Sequence, residues 1–294
     1  MRAFGLDGGY PLVPLMAYTP YVCLLGVLVT AACGALRQWG PTALAGVAVL
    51  ALVLAVAPRA IGGPDQEAEG RELRVMTANL RFGSGDEGAL ARLARDRDVD
   101  LLAIQELTFD AVAELKLAGL AGELPHAALS AREGVVGSGI YSRYPVRRRL
   151  GPGELDFKQT RAVFSVDSAL SLDVVSAHPL PPTGRFGIGR WKAGFAELPG
   201  ADEPGPPHLL LGDFNATLDH DRLRELLDTG YADAAERVGD GLKTTWPADR
   251  RWPPEITIDH LLLPEDWAVR DYEVLDLPGS DHRPVYAELV IPNG

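Results

Sequence analysis

The stretch Gly279-Ser280-Asp281-His282-Arg283-Pro284 sets a carboxylate beside an imidazole near the end of the chain, and it completes a series. Asn79 follows the run Leu73-Arg74-Val75-Met76-Thr77-Ala78, and Glu106 follows Leu101-Leu102-Ala103-Ile104-Gln105. His178 follows Leu172-Asp173-Val174-Val175-Ser176-Ala177. Asp213 and Asn215 follow His208-Leu209-Leu210-Leu211-Gly212, and Asp259 follows Ile256-Thr257-Ile258. Each run reads as a strand that delivers an amide, a carboxylate or an imidazole at one end. Strands gathered into sheets bring such ends together. Asn, Glu and Asp suit a hard divalent cation with oxygen ligands, and His with Asp suits proton transfer, so the pattern predicts metal-assisted phosphoester hydrolysis.

Between these runs the pattern changes. Residues 86–97 and 108–118 read as helices, each after a strand, and residues 219–228 as a third with Asp219 at its N-cap. Residues 161–166, 171–177 and 208–211 read as central strands. Strand runs interleaved with helices predict sheets covered by helices, and no internal repeat is present. Residues 179–192 read as a loop that carries Arg185, Arg190 and Lys192 close after His178, and it is the expected source of specificity. The aromatic, proline-rich stretches Thr244-Thr245-Trp246-Pro247 and Trp252-Pro253-Pro254 read equally as a substrate lid, a membrane-facing edge or an ordinary packed loop.

The chain resembles the endonuclease/exonuclease/phosphatase superfamily. The matching strings are TANL at 77–80, IQE at 104–106, SGIYSRYP at 138–145, SAHP at 176–179, GDFN at 212–215, IDH at 258–260 and GSDHRPV at 279–285, in the family's order. The resemblance implies a four-layered α/β sandwich, two packed and mostly antiparallel sheets flanked by helices. It makes Glu106 the principal ligand of Mg²⁺, with Mn²⁺ as a substitute, and brings Asn79 and Asp281 to the same ion. Asp213 then positions or deprotonates the attacking water, and Asn215 hydrogen-bonds the phosphate oxygens. His178 contacts the scissile phosphate or protonates the leaving oxygen. Asp259 is the carboxylate behind His282, fixing its tautomer while a neutral imidazole near pH 7 takes a proton from water. His260, pointing to the opposite face of an extended strand, is given no catalytic part.

Blander readings exist for each residue. Glu106 at a buried strand end requires a cation or a cationic side chain, and an arginine would serve. Asn79 suits a turn, and Asp213 with Asn215 an Asx turn. A histidine before proline is most often structural. The co-occurrence of all the motifs in one order outweighs these readings.

Residues 1–60 obey a different physics. Residues 12–36 and 41–57 are apolar and almost uncharged, separated by Arg37-Gln38-Trp39-Gly40, and Tyr10, Tyr18, Tyr21 and Trp39 fall near their ends. A bilayer core takes about 20 apolar residues of helix, and aromatic rings favour the headgroup level. A transmembrane hairpin is therefore expected over residues 1–60, a linker over 61–72 and the catalytic domain over 73–294. A cleaved signal peptide has one shorter apolar run, a buried hairpin has polar residues at helical spacing, and a surface helix has a charged face; none of these matches. Gly5-Leu6-Asp7-Gly8-Gly9-Tyr10 reads as an interhelical loop. The resemblance to membrane-anchored members, including the teicoplanin-resistance group, implies a domain on the cell exterior. Both cysteines, Cys23 and Cys33, lie in the first apolar run, so the catalytic part has no thiol in either compartment.

The formal net charge is -12, and residues 1–63 hold three arginines against one aspartate, so the acid excess lies in the catalytic part. Such a surface repels polyanions at long range and argues against high-affinity binding of nucleic acid. The expected partners are a bilayer and a lipid-linked or surface phosphoester such as a polyprenyl pyrophosphate. The alternatives are an exported metal-dependent nuclease or phosphodiesterase, against which the acidic surface weighs, and an inactive binding module, which would have lost Glu106, Asp213 or His282.

Overall fold

The computed structural model describes residues 9–150 and 159–293. The strands at its centre bury both faces. In β1 (Gly70–Asn79) Leu73 and Val75 point one way and Met76 and Ala78 the other; in β2 (Leu101–Gln105) Leu101 and Ala103 oppose Leu102 and Ile104. Side chains alternate with period two, so an unbroken apolar run serves two cores at once and must be covered on both sides.

Two six-stranded sheets result. The first runs β11 (Ala268–Val274), β12 (Val285–Pro292), β1, β2, β4 (Ser138–Ser142), β3 (His126–Ser130). The second runs β5 (Val146–Leu150), β6 (Arg161–Ser165), β7 (Ser171–Ala177), β8 (His208–Asp213), β10 (Asp259–Pro264), β9 (Tyr231–Asp233). Pairing is antiparallel except for β1 with β2 and β7 with β8. The sheets meet through Leu73, Val75, Leu101, Phe164, Leu172, Val174, Leu209, Leu211 and Leu261. The expected two-sheet α/β sandwich is the observed fold.

Helices cover the outer faces. On the first sheet, α4 (Glu87–Asp96) and α5 (Phe109–Leu117) seat Leu90, Ala94 and Leu115 on Met76, Leu102 and Ile104. Asp86 and Thr108 cap them, their side chains accepting from the amides of Ala89 and Ala111. On the second sheet, α7 (Gly184–Ala196) and α8 (Asp221–Leu227) seat Trp191, Phe195 and Leu223 on Val175, Leu210 and Leu262.

Two local expectations are corrected. Most of the presumed loop 179–192 is helix α7: Ile188, Trp191 and Phe195 recur at helical spacing, a signal masked by four glycines in the same stretch. The third helix begins at Asp221 behind His220, and Asp219 is not its cap. The Asp219 carboxylate instead receives Arg59 in a two-pronged pair, Nη1 at 2.9 Å and Nη2 at 2.7 Å, with both side chains buried.

The N-terminal apolar run is also not one helix. It divides into α1 (Leu12–Met16) and α2 (Thr19–Ala35), and α1 turns inward, burying Val13 and Met16. Helix α3 (Trp39–Val56) packs against α2 so closely that a Cβ on Gly26 would stand 2.8 Å from Val49 Cγ2. With its short 3₁₀ extension it spans Trp39–Ala60, 22 residues that contain an 18-residue window of mean hydropathy 2.2, only 6% of it buried. Among the described residues this is the one helix long and apolar enough to cross a membrane; α2, with 17 residues, is shorter. The first part of the presumed interhelical loop, residues 5–8, lies outside the described residues.

Candidate active site

β1 and β2 lie in one sheet, β7, β8 and β10 in the other, and the residues at or just beyond their ends meet in one cavity. Glu106, His178, Asp213, Asn215, Asp281 and His282 line it, and its volume is about 460 Å³. The sheets are tied together just below by a buried polar bridge. Thr77 Oγ1 donates to Gln105 Oε1 (3.1 Å), and Gln105 Nε2 donates to Ser176 Oγ (3.0 Å). Ser176 Oγ in turn donates to the carbonyl of Ile104 (3.0 Å). Polar groups fully withdrawn from water fix a single arrangement when all are satisfied, so this chain sets the register of one sheet on the other beneath the site.

Glu106 is 9% exposed and held from two sides: Phe82 N–H donates to Oε2 at 2.6 Å and Asn79 Nδ2 to Oε1 at 3.3 Å. Burial pushes its carboxyl pKa up, against those hydrogen bonds. Asn79 Nδ2 also reaches Asp213 Oδ2 (3.1 Å), while its oxygen accepts from Arg81 N–H (2.8 Å). The Asn79 oxygen thus accepts one N–H and keeps a second lone pair, while its amide nitrogen aligns two carboxylates.

His282 Nδ1 lies 3.0 Å from Asp259 Oδ2, which fixes Nε2 toward Asp213 Oδ2 at 3.7 Å. Burial opposes the charge on His282, but Asp259 and then Asp213 outweigh it and raise its pKa to about 10. Its carboxylate neighbours thus favour the protonated ring over the neutral imidazole expected near pH 7. Asp213 moves the opposite way from an ordinary aspartate, raised to about 7 by burial despite the nearby His282. His178 Nε2 stands 3.6 Å from Asp213 Oδ2 and 3.9 Å from Glu106 Oε1, and its backbone N–H donates to Gln159 Oε1 at 3.0 Å. Burial and then the charge on His282 lower its pKa to about 3, so it is neutral.

Asn215 places its side chain against the carbonyl of Pro179 (3.0 Å) and against Asp213 Oδ2 (3.4 Å). Asp281 is turned away from His282, with Oδ2 accepting from Trp246 Nε1 at 3.0 Å and Oδ1 3.7 Å from Arg81 Nε. His260 joins Asp233 (2.8 Å) to the carbonyl of Ala216 (2.9 Å), away from the cavity. Two acceptors on two ring nitrogens require an imidazolium. Its pKa is raised accordingly, Asp233 overcoming the effect of burial.

Trp246, Thr245 and Arg81 also belong to the site, without having been singled out as site residues from the sequence. Trp246 lies against His282 at 6.3 Å between ring centroids, and the Arg250 guanidinium stands over the Trp246 ring at 5.2 Å. Thr245 Oγ1 accepts from the amides of Ile258 and Asp259, locking the start of β10. The first aromatic stretch is thus a packed wall of the site, whereas Trp252 in the second stands 78% exposed. The signal available was Trp246 shortly before the Asp259 strand; Arg81 carried none. Of the cationic residues assigned to 179–192, the Arg185 side chain lies outside what the structure describes.

The donor set fits a divalent cation. Among the described residues neither Glu106 nor Asp213 is paired with arginine or lysine; Asp213 has the His282 ring at 3.7 Å, but Glu106 has only the neutral His178 at 3.9 Å, and a buried carboxylate so placed calls for a cation. The tightest carboxylate and imidazole cluster is Asp213, Asp259 and His282, with ligand atoms within 4.8 Å. Both Asp259 oxygens already face His282 Nδ1, however, so the oxygens of Glu106, Asp213 and Asp281 are the better donors.

Fold and site together define a metal-dependent phosphohydrolase built on a two-sheet α/β sandwich. The chain belongs to the Endonuclease/Exonuclease/phosphatase family, whose model matches residues 76–282, well over half its length. Similar solved structures include the Bacteroides thetaiotaomicron mannosyl-6-phosphatase, at 19% identity and TM-score 0.54 over 74% of this chain and 100% of that one. A truncated Caenorhabditis elegans TDP2 aligns at 18% identity and TM-score 0.58, covering 75% of this chain and 98% of that one. A Bacteroides thetaiotaomicron family protein aligns at 18% and 0.53, covering 77% and 100%. At such identities the likeness is one of fold. No curated protein matches the chain in sequence.

Proposed function

We propose that the protein is a membrane-tethered, Mg²⁺-dependent hydrolase of a lipid-linked or surface phosphoester or pyrophosphate, with Mn²⁺ able to replace Mg²⁺. The observation that carries this reading is the meeting of Glu106, Asp213, Asp281, His178 and the His282–Asp259 pair in one cavity beside two apolar helices. Glu106, with oxygens of Asp213 and Asp281, would hold the ion, which when bound supplies charge neutralisation at the phosphoryl group and leaving oxygen. Asn79 keeps Glu106 and Asp213 aligned. His282, oriented by Asp259, exchanges a proton through Nε2 with the group between it and Asp213, and Asp213 orients the attacking water. His178, neutral, donates a hydrogen bond to a phosphate oxygen, and Asn215 offers its amide to another. The wall of Trp246 and Arg250 excludes bulk water from the His282 side.

The tether rests on α2 and α3, whose Leu24, Leu25, Leu28, Leu44, Val47, Leu50 and Leu54 stand exposed with no charged face between them. An apolar surface of that extent needs a lipid or protein cover. The catalytic domain faces the cell exterior in this reading, and protease cleavage of the domain in intact cells would show it. The activity test uses the full chain purified in detergent: product formation, followed by phosphorus NMR, from a panel of phosphomonoesters, diesters and pyrophosphates with Mg²⁺, Mn²⁺ or EDTA. Product formation that requires Mg²⁺ or Mn²⁺ and stops in EDTA is the expected result. Full activity in EDTA, or inertness toward the whole panel, overturns the reading.

A further inference from the structure

The cavity lining divides by chemistry into two halves. Carboxylates and imidazoles, His220 among them, make one, and Leu180, Pro181, Ile256 and Ile258 together with Pro14, Ala17 and Tyr18 of the N-terminal segment make the other, in which Ala17, Ile256 and Ile258 form one apolar cluster with Tyr18 packed against it. The N-terminal wall is seated firmly. Val13 is 1% exposed, and its carbonyl accepts from His220 Nε2 at 3.0 Å, while His220 Nδ1 accepts from the Thr217 amide at 2.9 Å. Ala17 is buried with Ile256 and Ile258, and Tyr21 Oη donates to the Glu255 carbonyl at 2.7 Å. The wall also continues outward. Helix α2 begins at Thr19, directly after Tyr18, and carries exposed Leu24, Leu25 and Leu28, so an apolar strip runs from the cavity onto the surface assigned to lipid.

Resting on the proposed function, we infer that α1 and Tyr18 form a subsite for the hydrocarbon chain of an amphiphilic phosphoester, the chain lying within a few bonds of the scissile phosphate and leaving along α2 into the bilayer. A headgroup alone would leave the apolar half of the cavity wet. A chain covering it removes that surface from water, and each buried methylene strengthens binding roughly fourfold. The anchor then does more than hold enzyme and substrate on one surface: its first turns select the substrate.

The test compares propyl and octyl monophosphates and diphosphates, below their micelle concentrations, as substrates of the full chain in nanodiscs with Mg²⁺. The wild type is expected to turn over octyl esters with kcat/KM at least about tenfold above propyl esters. Tyr18→Ser and Pro14→Asp, both at half-exposed positions, should each reduce that ratio at least about threefold relative to the wild type, chiefly through KM. Partition of octyl esters into the disc raises wild type and variants alike, so the difference between them reports the wall. Circular dichroism checks each variant's fold, and two variants of opposite design keep the comparison if one misfolds. An undiminished ratio in the folded variants overturns the subsite. Hydrolysis of propyl and octyl esters at equal rates by the wild type also overturns it but leaves the phosphohydrolase standing. Inertness toward every ester, with EDTA-insensitive background only, removes both.

Discussion

Glu106 and Asn215 have φ of +55° and +48°, a left-handed conformation that residues other than glycine rarely adopt. Each such residue costs on the order of 1–3 kcal/mol and persists only where its surroundings enforce it. At Glu106 the return is direction, because the carboxylate turns back toward Phe82 N–H and Asn79 and faces the cavity. Glu106→Gln should therefore lower turnover by roughly 100-fold or more and weaken the dependence on Mg²⁺ while circular dichroism stays unchanged. Near-normal turnover would remove Glu106 from the ion. His282 and Asp259 share a hydrogen bond at 3.0 Å and one proton, so they should act as a unit. The double variant His282→Ala with Asp259→Asn is expected to be little slower than His282→Ala alone, and losses that multiply would show that the two work separately.

At the scale of elements, the N-terminal helices and the sandwich are joined by polar pins between apolar surfaces. Arg59, just after α3, is 2% exposed and paired with the fully buried Asp219. Removing one member strands the other's charge, so Arg59→Ala should cost about 3–5 kcal/mol in chemical denaturation, whereas Arg59→Met with Asp219→Leu should recover most of it. No recovery in the double variant would mean that the pair contributes by specific geometry rather than by mutual neutralisation. The second pin is His220. Burial lowers its pKa from 6.5 to about 4, so between those pH values the unfolded chain takes up a proton that the folded chain refuses. Stability is then present in full above about pH 6.5 and falls as the pH drops toward 4, by about 3 kcal/mol for this group. In His220→Gln, denaturation midpoints measured across that range should fall less steeply with acid. An identical slope would assign the acid loss to other groups, His178 first among them.

At the scale of the whole molecule, the division into anchor, linker and catalytic domain is less clean than the charge pattern suggests. A chain beginning at Pro64 keeps every strand, yet it loses Arg59 from Asp219, Val13 from His220 and Ala17 from Ile256 and Ile258. Such a truncation should melt well below the full chain and expose an apolar face, in contrast to the self-sufficient domain expected from residues 73–294 alone. Equal melting temperatures for the two, measured in the same detergent, would show that the domain ignores its anchor. If the truncation folds, its rate on vesicle-borne substrate should fall more than its rate on a soluble ester, because anchoring raises the local concentration of a membrane substrate.

The strands, their order of polar ends and the helices at 86–97 and 108–118 were legible in the sequence, because each depends on local periodicity and on caps within four residues. The site residues were legible for a related reason: strand ends in one fold meet, so residues at those ends are neighbours whatever the intervening chain. The 3.0 Å pairing of His282 with Asp259 follows from that placement. Contacts between segments far apart in sequence were not legible. Asp219 read as a cap because its local context is that of a cap, and only Arg59, 160 residues away, diverts it. That Asn79 holds Glu106 and Asp213 together through its amide nitrogen, and that Asp259 and Asp213 favour the proton on His282, came from contacts across the two sheets. The N-terminal run read as a continuous span because hydropathy does not distinguish lipid from a protein's own apolar surface. Pro14, Ala17 and Tyr18 became part of a cavity only when the segment before β10 and the N-cap of α8 placed Ile256, Ile258 and His220 beside them. Periodicity reports what a segment buries; the tertiary structure alone decides against what.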